Sequence, residues 1–174
     1  MKSLIVFASK HGFTEKVAHI LRDKLLGDPR EVSGEVSGEV ASGVSIFDLK
    51  KHKPSSIKEY DVVIIGGSIY VGKIQAEIAQ FCKENLDTLL KKRIGLFISC
   101  GLQDKSEEQL KTVFPQELLR NATATGYFGY EFNYSKMKFF ERTITKMLTK
   151  KKESECRILT ENIQHFTNQM KSEE

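Results

Sequence analysis

Leu4-Ile5-Val6-Phe7-Ala8-Ser9-Lys10-His11-Gly12-Phe13-Thr14 is the stretch that decides the fold. Leu4 to Ala8 is continuously apolar, as expected of a strand covered on both faces of a parallel sheet. From Thr14 the period changes. Thr14, Val17, Ala18, Leu21 and Leu25 recur at helical spacing, so Ser9 to Phe13 joins a strand's carboxyl end to a helix N-terminus. That junction suits an anion, because the leading N–H groups of a helix lack intrahelical partners and the macrodipole adds roughly half a positive charge there. Gly12 lets the backbone come close to a phosphate, Ser9 and Thr14 offer hydroxyl donors, and Lys10 adds charge. The spacing fits neither Gly-x-x-x-x-Gly-Lys-Ser/Thr nor Gly-x-Gly-x-x-Gly. A plain βα turn with Thr14 as helix N-cap is the alternative reading.

Outward from this stretch, strand and helix alternate. Val44 to Leu49 suits an edge strand, and Tyr60 to Gly67 is a β-branched run ending in two glycines that reads as the central buried strand. Ile74, Ile78, Phe81, Cys82, Leu86 and Leu89 follow at helical spacing, which leaves Ser68 to Lys73 as a second loop at a strand's carboxyl end. Ile94 to Cys100 is the next strand, and Cys100-Gly101-Leu102-Gln103 a third such loop. Ser106-Glu107-Glu108 opens a short helix holding Leu110, Val113 and Phe114, and Thr125 to Phe132 returns as the last strand. Cys156, Leu159, Ile163, Phe166 and Met170 are spaced as a final amphipathic helix. Alternation of this kind is the signature of a doubly wound parallel sheet, in which ligands sit outside the strands' carboxyl ends where the strand order reverses.

Composition narrows the class. Forty per cent hydrophobic residues in 174 excludes a disordered chain. Cys82, Cys100 and Cys156 are odd in number and widely spaced, and His11, His19, His52 and His165 have no ligand spacing, so neither a disulfide framework nor a metal site is expected. No signal peptide or membrane-length apolar run is visible, and a reducing cytoplasm is the expected location. Net charge is +4, and its distribution is uneven. Between Tyr134 and Lys152 seven basic residues (Lys136, Lys138, Arg142, Lys146, Lys150, Lys151, Lys152) face Glu141 alone, leaving twenty basic against twenty-two acidic residues elsewhere. A local basic surface is implied rather than a general affinity for polyanions, and nucleic acid is not an expected partner. The tandem copies of Glu-Val-Ser-Gly from Glu31 read as an expanded surface loop.

The loop Ser9-Lys10-His11-Gly12-Phe13-Thr14 resembles the flavodoxin phosphate loop, a Ser/Thr-rich hairpin closed by Gly-x-Thr that holds the phosphate of FMN. Gly66-Gly67-Ser68-Ile69-Tyr70-Val71-Gly72-Lys73 resembles the flavin-ring loop of the menaquinone-dependent protoporphyrinogen IX dehydrogenase branch of that superfamily. Gly129-Tyr130 and the run from Asn133 to Arg142 look like that branch's aromatic and basic insertion after the fifth strand. Two departures stand out: Tyr70-Val71 where the branch often has Arg-Tyr, and Lys150-Lys151-Lys152-Glu153-Ser154 in place of a Gly-rich turn.

The resemblance implies one α/β domain over 1–174, a flavodoxin-like doubly wound five-stranded parallel sheet in the order 2-1-3-4-5 with helices on both faces. Insertions are expected at about 28–43 and about 133–152. It implies FMN as cofactor, held by Ser9, Lys10, His11, Gly12, Phe13, Thr14, Ser68, Ile69, Tyr70, Val71, Gly72, Cys100, Gly101 and Leu102. The chemistry would be flavin-borne, with no catalytic side chain and no metal. Tyr70 either stacks on the ring, caps the crevice edge or packs in the core, and Cys100 reads as a small core residue rather than a redox thiol. Oxidation of protoporphyrinogen IX with a quinone as acceptor is the first expected activity. A flavodoxin-type electron carrier or a general quinone reductase is the alternative. Tyr134, Lys136, Lys138, Phe139, Phe140 and Arg142 would form a surface for the substrate or for an anionic membrane, placing the protein at the inner face of the cell membrane. Within this segment Met137, Phe140, Ile144, Met147 and Leu148 form an apolar stripe at helical spacing that would cover the sheet or core.

Overall fold

A computed structural model describes residues 1–27, 40–41, 43–149 and 153–172. Strand β1 (Ser3–Ala8) lies in the middle of the sheet, entirely buried, with parallel neighbours on both sides: β3 (Val44–Asp48) and β4 (Val62–Ser68). Beyond β4 follow β5 (Arg93–Ser99) and β6 (Ala122–Tyr127), also parallel. The parallel order is therefore β3-β1-β4-β5-β6, the expected 2-1-3-4-5 arrangement. A two-residue antiparallel strand, β2 (Val40–Ala41), adds an edge beside β3, a ragged edge strand of the kind the expanded loop before it could hold. The repeat falls mostly on 28–39 and 42, outside the described residues.

Because successive strand side chains point to opposite faces, β1 feeds two cores. Leu4, Val6 and Ala8 join Val63, Ile65, Ile78 and Phe81 on one face, under α2 (Ala76–Glu84), α3 (Leu86–Leu89), α4 (Ser106–Val113) and α5 (Gln116–Asn121). Ile5 and Phe7 join Val17, Leu21, Ile64 and Phe97 on the other, under α1 (Phe13–Leu26) and α7 (Thr160–Lys171). There Phe128 stacks on Phe97 at 5.0 Å between centroids and meets the edge of Phe166 at 5.2 Å, each pair worth about 0.5–1.5 kcal/mol beyond burial.

Three elements differ from expectation. The helix after β4 breaks at Asn85, whose side chain donates to Phe81 O and whose amide caps α2. The last strand ends at Tyr127: Gly129, at φ 103°, turns the chain out of the sheet, and β7 (Gly129–Phe132) pairs antiparallel with β8 (Glu155–Ile158) in a separate two-stranded sheet. Cys156 consequently lies on β8, and the final helix starts only at Thr160. Between β7 and β8 runs α6 (Phe139–Thr149).

Candidate functional site

The chain leaves β1 toward β3 and returns across it to β4, so the order reverses between β1 and β4. The loops at their carboxyl ends, with the loop after β5, open into one cavity of about 570 Å³. Ser9, Lys10, His11, Phe13 and Thr14 line it from the first loop, Ser68, Ile69, Tyr70, Val71 and Gly72 from the second, and Cys100, Gly101 and Leu102 from the third. Gly12 is the one expected residue of these loops outside the lining.

Gly12 instead shapes the first loop. At φ 96° it is the N-cap of α1, its amide donates to Ser9 Oγ at 3.1 Å, and no side chain caps the helix. Thr14 is thus not the cap but a buried first-turn residue. The leading N–H groups of α1 are left to a ligand, beside Lys10 and His11.

In the second loop, Tyr70 and Lys73 exchange both backbone hydrogen bonds, at 2.9 and 3.1 Å, around Val71 (φ 50°) and Gly72 (φ 73°). Positive φ at both central residues is the geometry of a type I′ turn. Glycine is at home there; Val71 is β-branched and strained. Ser68 N–H donates to Gln75 Oε1 at 3.0 Å, and Ile69 N–H to Ser99 O at 2.7 Å, so the turn is tied to the helix and to β5. In the third loop Tyr127 Oη donates to Cys100 O at 3.0 Å, and burial pushes the Cys100 thiol up to about 11. That thiol stays protonated at neutral pH, as a core residue would.

A fourth wall comes from residues outside those expected to touch the cofactor: Tyr130, Glu131 and Phe132 of β7, Met137, and Ile144, Thr145 and Thr149 of α6. Tyr130 and Phe132 pack at 4.8 Å between ring centroids, and Phe132 stacks on Tyr134 at 6.4 Å. None of Tyr134, Lys136, Lys138, Phe139, Phe140 or Arg142 lines the cavity. Tyr134 is buried behind the wall, and the Arg142 guanidinium donates to Tyr134 O at 2.7 Å, which fixes the approach to α6. Lys136 Nζ would lie 4.0 Å from a Cβ at Gly12, near the first loop. The anticipated stripe is split: Phe140 and Met147 point to solvent, as does Phe139, whereas Met137 is buried and Ile144 lines the cavity. Among the described side chains of the helix, Glu141 and Thr145 are the buried ones. Lys150 to Lys152 lie outside the described residues.

Charge at the first loop is concentrated. Glu141 Oε1 meets Lys10 Nζ at 2.5 Å and Glu141 Oε2 lies 3.5 Å from His11 Nε2, while Lys10 Nζ also sits 4.5 Å from the Tyr70 ring centroid. Lys10 holds the Glu141 carboxyl below its ordinary range, and burial lowers His11 against the opposing pull of Glu141. Four lining residues carry a buried polar atom without a hydrogen-bond partner: His11 Nε2, Tyr70 Oη, Ser99 Oγ and Gln109 Oε1. Such atoms are costly unless a ligand or water meets them. No group of three or more His, Cys, Asp or Glu is placed to hold a metal among the described residues. A phosphate on the first loop and a flat heterocycle between the other two fit this donor set.

The family model described as "Flavodoxin domain" matches residues 4–157. The chain belongs to the flavodoxin domain family. An uncharacterized protein of Methanocaldococcus jannaschii, MJ0298, is 29% identical over 130 residues, covering 73% of this chain and 69% of its own. Flavodoxin 2 of Bacillus cereus superposes with a TM-score of 0.56 at 18% identity, over 98% of this chain and 97% of its own. Rubredoxin oxygen:oxidoreductase of Desulfovibrio gigas gives 0.52 at 17% identity, and this flavodoxin-family chain spans only 37% of its length. At these identities the structural likeness concerns the fold. In this chain the β7–α6 segment supplies the fourth wall of the cavity.

Proposed function

We propose that this chain holds FMN in the cavity and serves as a flavin-based electron-transfer protein, exchanging electrons with redox partners or with a quinone. The observation that supports this most is the convergence of the three loops at the strand-order reversal on a cavity holding four buried polar atoms without a hydrogen-bond partner. The α1 amides with Ser9, Lys10, His11 and Thr14 would hold the phosphate. Ile69 to Gly72 and Cys100 to Leu102 would flank the ring, with Tyr70 as the aromatic partner. When bound, FMN supplies one- and two-electron redox chemistry. The protein's share is to bind, orient and shelter: Met137, Ile144 and Thr145 exclude water from one side, and no thiolate or nucleophile is called on.

One observation favours a narrower second reading, oxidation of a protoporphyrinogen-type substrate with a quinone as acceptor. A carrier needs only an accessible flavin edge, whereas here Tyr130, Phe132 and Met137 add a largely apolar wall suited to a flat macrocycle, with Lys136 nearby for a carboxylate. Anaerobic assays of the FMN-loaded protein separate the two. Porphyrin fluorescence appearing with a menaquinone analogue supports the second reading; none, together with rapid reduction by a flavodoxin reductase, supports the carrier. A protein that cannot be loaded with FMN removes both.

A further inference from the structure

The outer surface of α6 is the most apolar exposed feature of the described residues. Phe139, Phe140 and Met147 are 84%, 71% and 71% exposed. At about 100° per residue these three fall within an arc of about 100°, with exposed Thr143 between them. Across the helix lie Glu141 and Thr145, both buried, and Ile144 and Thr145 line the cavity. The inner face is thus committed to the cavity wall, and the three large side chains stand largely exposed on the opposite, convex side among the described residues.

Charge borders the same surface. Lys138 directly precedes the helix, Lys146 sits in its last turn, and both are exposed, as is Lys136. Lys146 Nζ rests 4.9 Å from the Tyr134 ring centroid, its charge still at the surface. Glu141, the only acid between Tyr134 and Lys152, is turned inward onto Lys10 and His11. Glu141 therefore offsets charge in the first loop and none at the surface.

We propose that this face docks on an anionic lipid surface, with Phe139, Phe140 and Met147 entering the headgroup–acyl boundary and the lysines pairing with headgroup phosphates. Aromatic and apolar bulk on one arc with cations along its edge is the composition that such a boundary takes up. A bilayer needs no matching groove, which suits side chains on a convex helix; an acidic protein partner would satisfy the lysines and leave the aromatics without a pocket. Contact is peripheral, since no helix among the described residues is long and apolar enough to cross a membrane. Seated this way, the cavity has its α6 wall against lipid. The inference does not rest on the flavin reading, because none of the three side chains lines the cavity.

Flotation of the full chain with phosphatidylglycerol–phosphatidylcholine vesicles, beside phosphatidylcholine vesicles alone, tests it. Wild type should float with the anionic vesicles only and be released by salt, as screening over roughly 8 Å at physiological ionic strength demands. The combined Phe139→Ser, Phe140→Ser, Met147→Ser variant should bind at least roughly tenfold more weakly, and Lys138→Gln with Lys146→Gln should weaken binding and flatten its salt dependence. Circular dichroism checks that each variant folds, and Phe139→Ser alone serves if the triple variant does not. Absence of wild-type flotation, or a Ser variant that floats like wild type, would overturn the proposal. So would a dimer in sedimentation velocity that the Ser variant converts to monomer, because a second copy would then be what covers the face.

Discussion

Lys10 Nζ of the first loop and Glu141 Oε1 of α6 are 2.5 Å apart, which ties the helix of the fourth wall to the loop expected to take a phosphate. His11 Nε2 lies 3.5 Å from the same carboxylate. A phosphate arriving on the loop must share Lys10 with Glu141 and sits beside the same His11. Glu141→Gln should therefore tighten FMN binding several-fold while costing the ligand-free protein no more than about 1 kcal/mol, since Lys10 is partly exposed. Flavin fluorescence titration and urea unfolding measure the two effects. Weaker FMN binding in Glu141→Gln would make the carboxylate a group that positions Lys10 rather than one that competes with the phosphate.

Gly12→Val should lower FMN affinity at least roughly tenfold, through strain rather than a clash. The nearest atom to a Cβ at Gly12 is Lys136 Nζ at 4.0 Å, so space is available, but φ 96° costs an L-residue about 1–2 kcal/mol and a β-branched one more. Gly12→Asn, which tolerates such φ, should retain most of the affinity. Normal affinity in the Val variant would move the phosphate site elsewhere.

Val71→Gly should stabilise the protein by about 1 kcal/mol. The native φ of 50° costs valine on the order of 1–3 kcal/mol, of which glycine returns part through its freedom in the unfolded chain. Chemical denaturation gives the difference. A less stable Gly variant would mean that Val71 gains more from its contacts at the cavity rim than it loses in the turn.

The part of this arrangement written in local pattern was readable from the sequence. Leu4 to Ala8, Tyr60 to Gly67 and Ile94 to Cys100 are short, β-branched or apolar runs that suit strands buried on both faces, and the loops after them carry the glycines and hydroxyls of the cavity. What depended on tertiary rotation was not readable. The spacing of Met137, Phe140, Ile144 and Met147 is helical, yet spacing alone does not say which of them turn inward: Met137 is buried and Ile144 lines the cavity, while Phe140 and Met147 face solvent and Glu141 is buried against Lys10. Likewise Thr125 to Phe132 is one β-rich run, divided because Gly129 leaves the plane of the sheet.

Acidification should destabilise the ligand-free protein. Burial is the main cause that lowers His11 and His19 from 6.5, so below that value the unfolded chain takes up protons that the folded one resists. Stability contributed by these two groups is fully present above the unfolded value of about 6.5 and is lost as pH falls from there through their lower folded values. Urea midpoints at about pH 8 and about pH 5.5 should differ, and less so in a His11→Gln, His19→Gln variant. Bound FMN should also reduce the difference, because a phosphate beside His11 favours its charged form. An equal drop in the double variant would assign the acid sensitivity to other groups.

The central claim is that three loops at the strand-order reversal form a site for a single-phosphate flavin. Titrating the purified chain with FMN, and separately with FAD, while recording the visible absorbance of protein freed of unbound flavin by gel filtration, tests it most directly. The account predicts a yellow protein with one FMN per chain and no FAD retained. A protein that stays colourless after reconstitution, or that keeps FAD as readily as FMN, would contradict it.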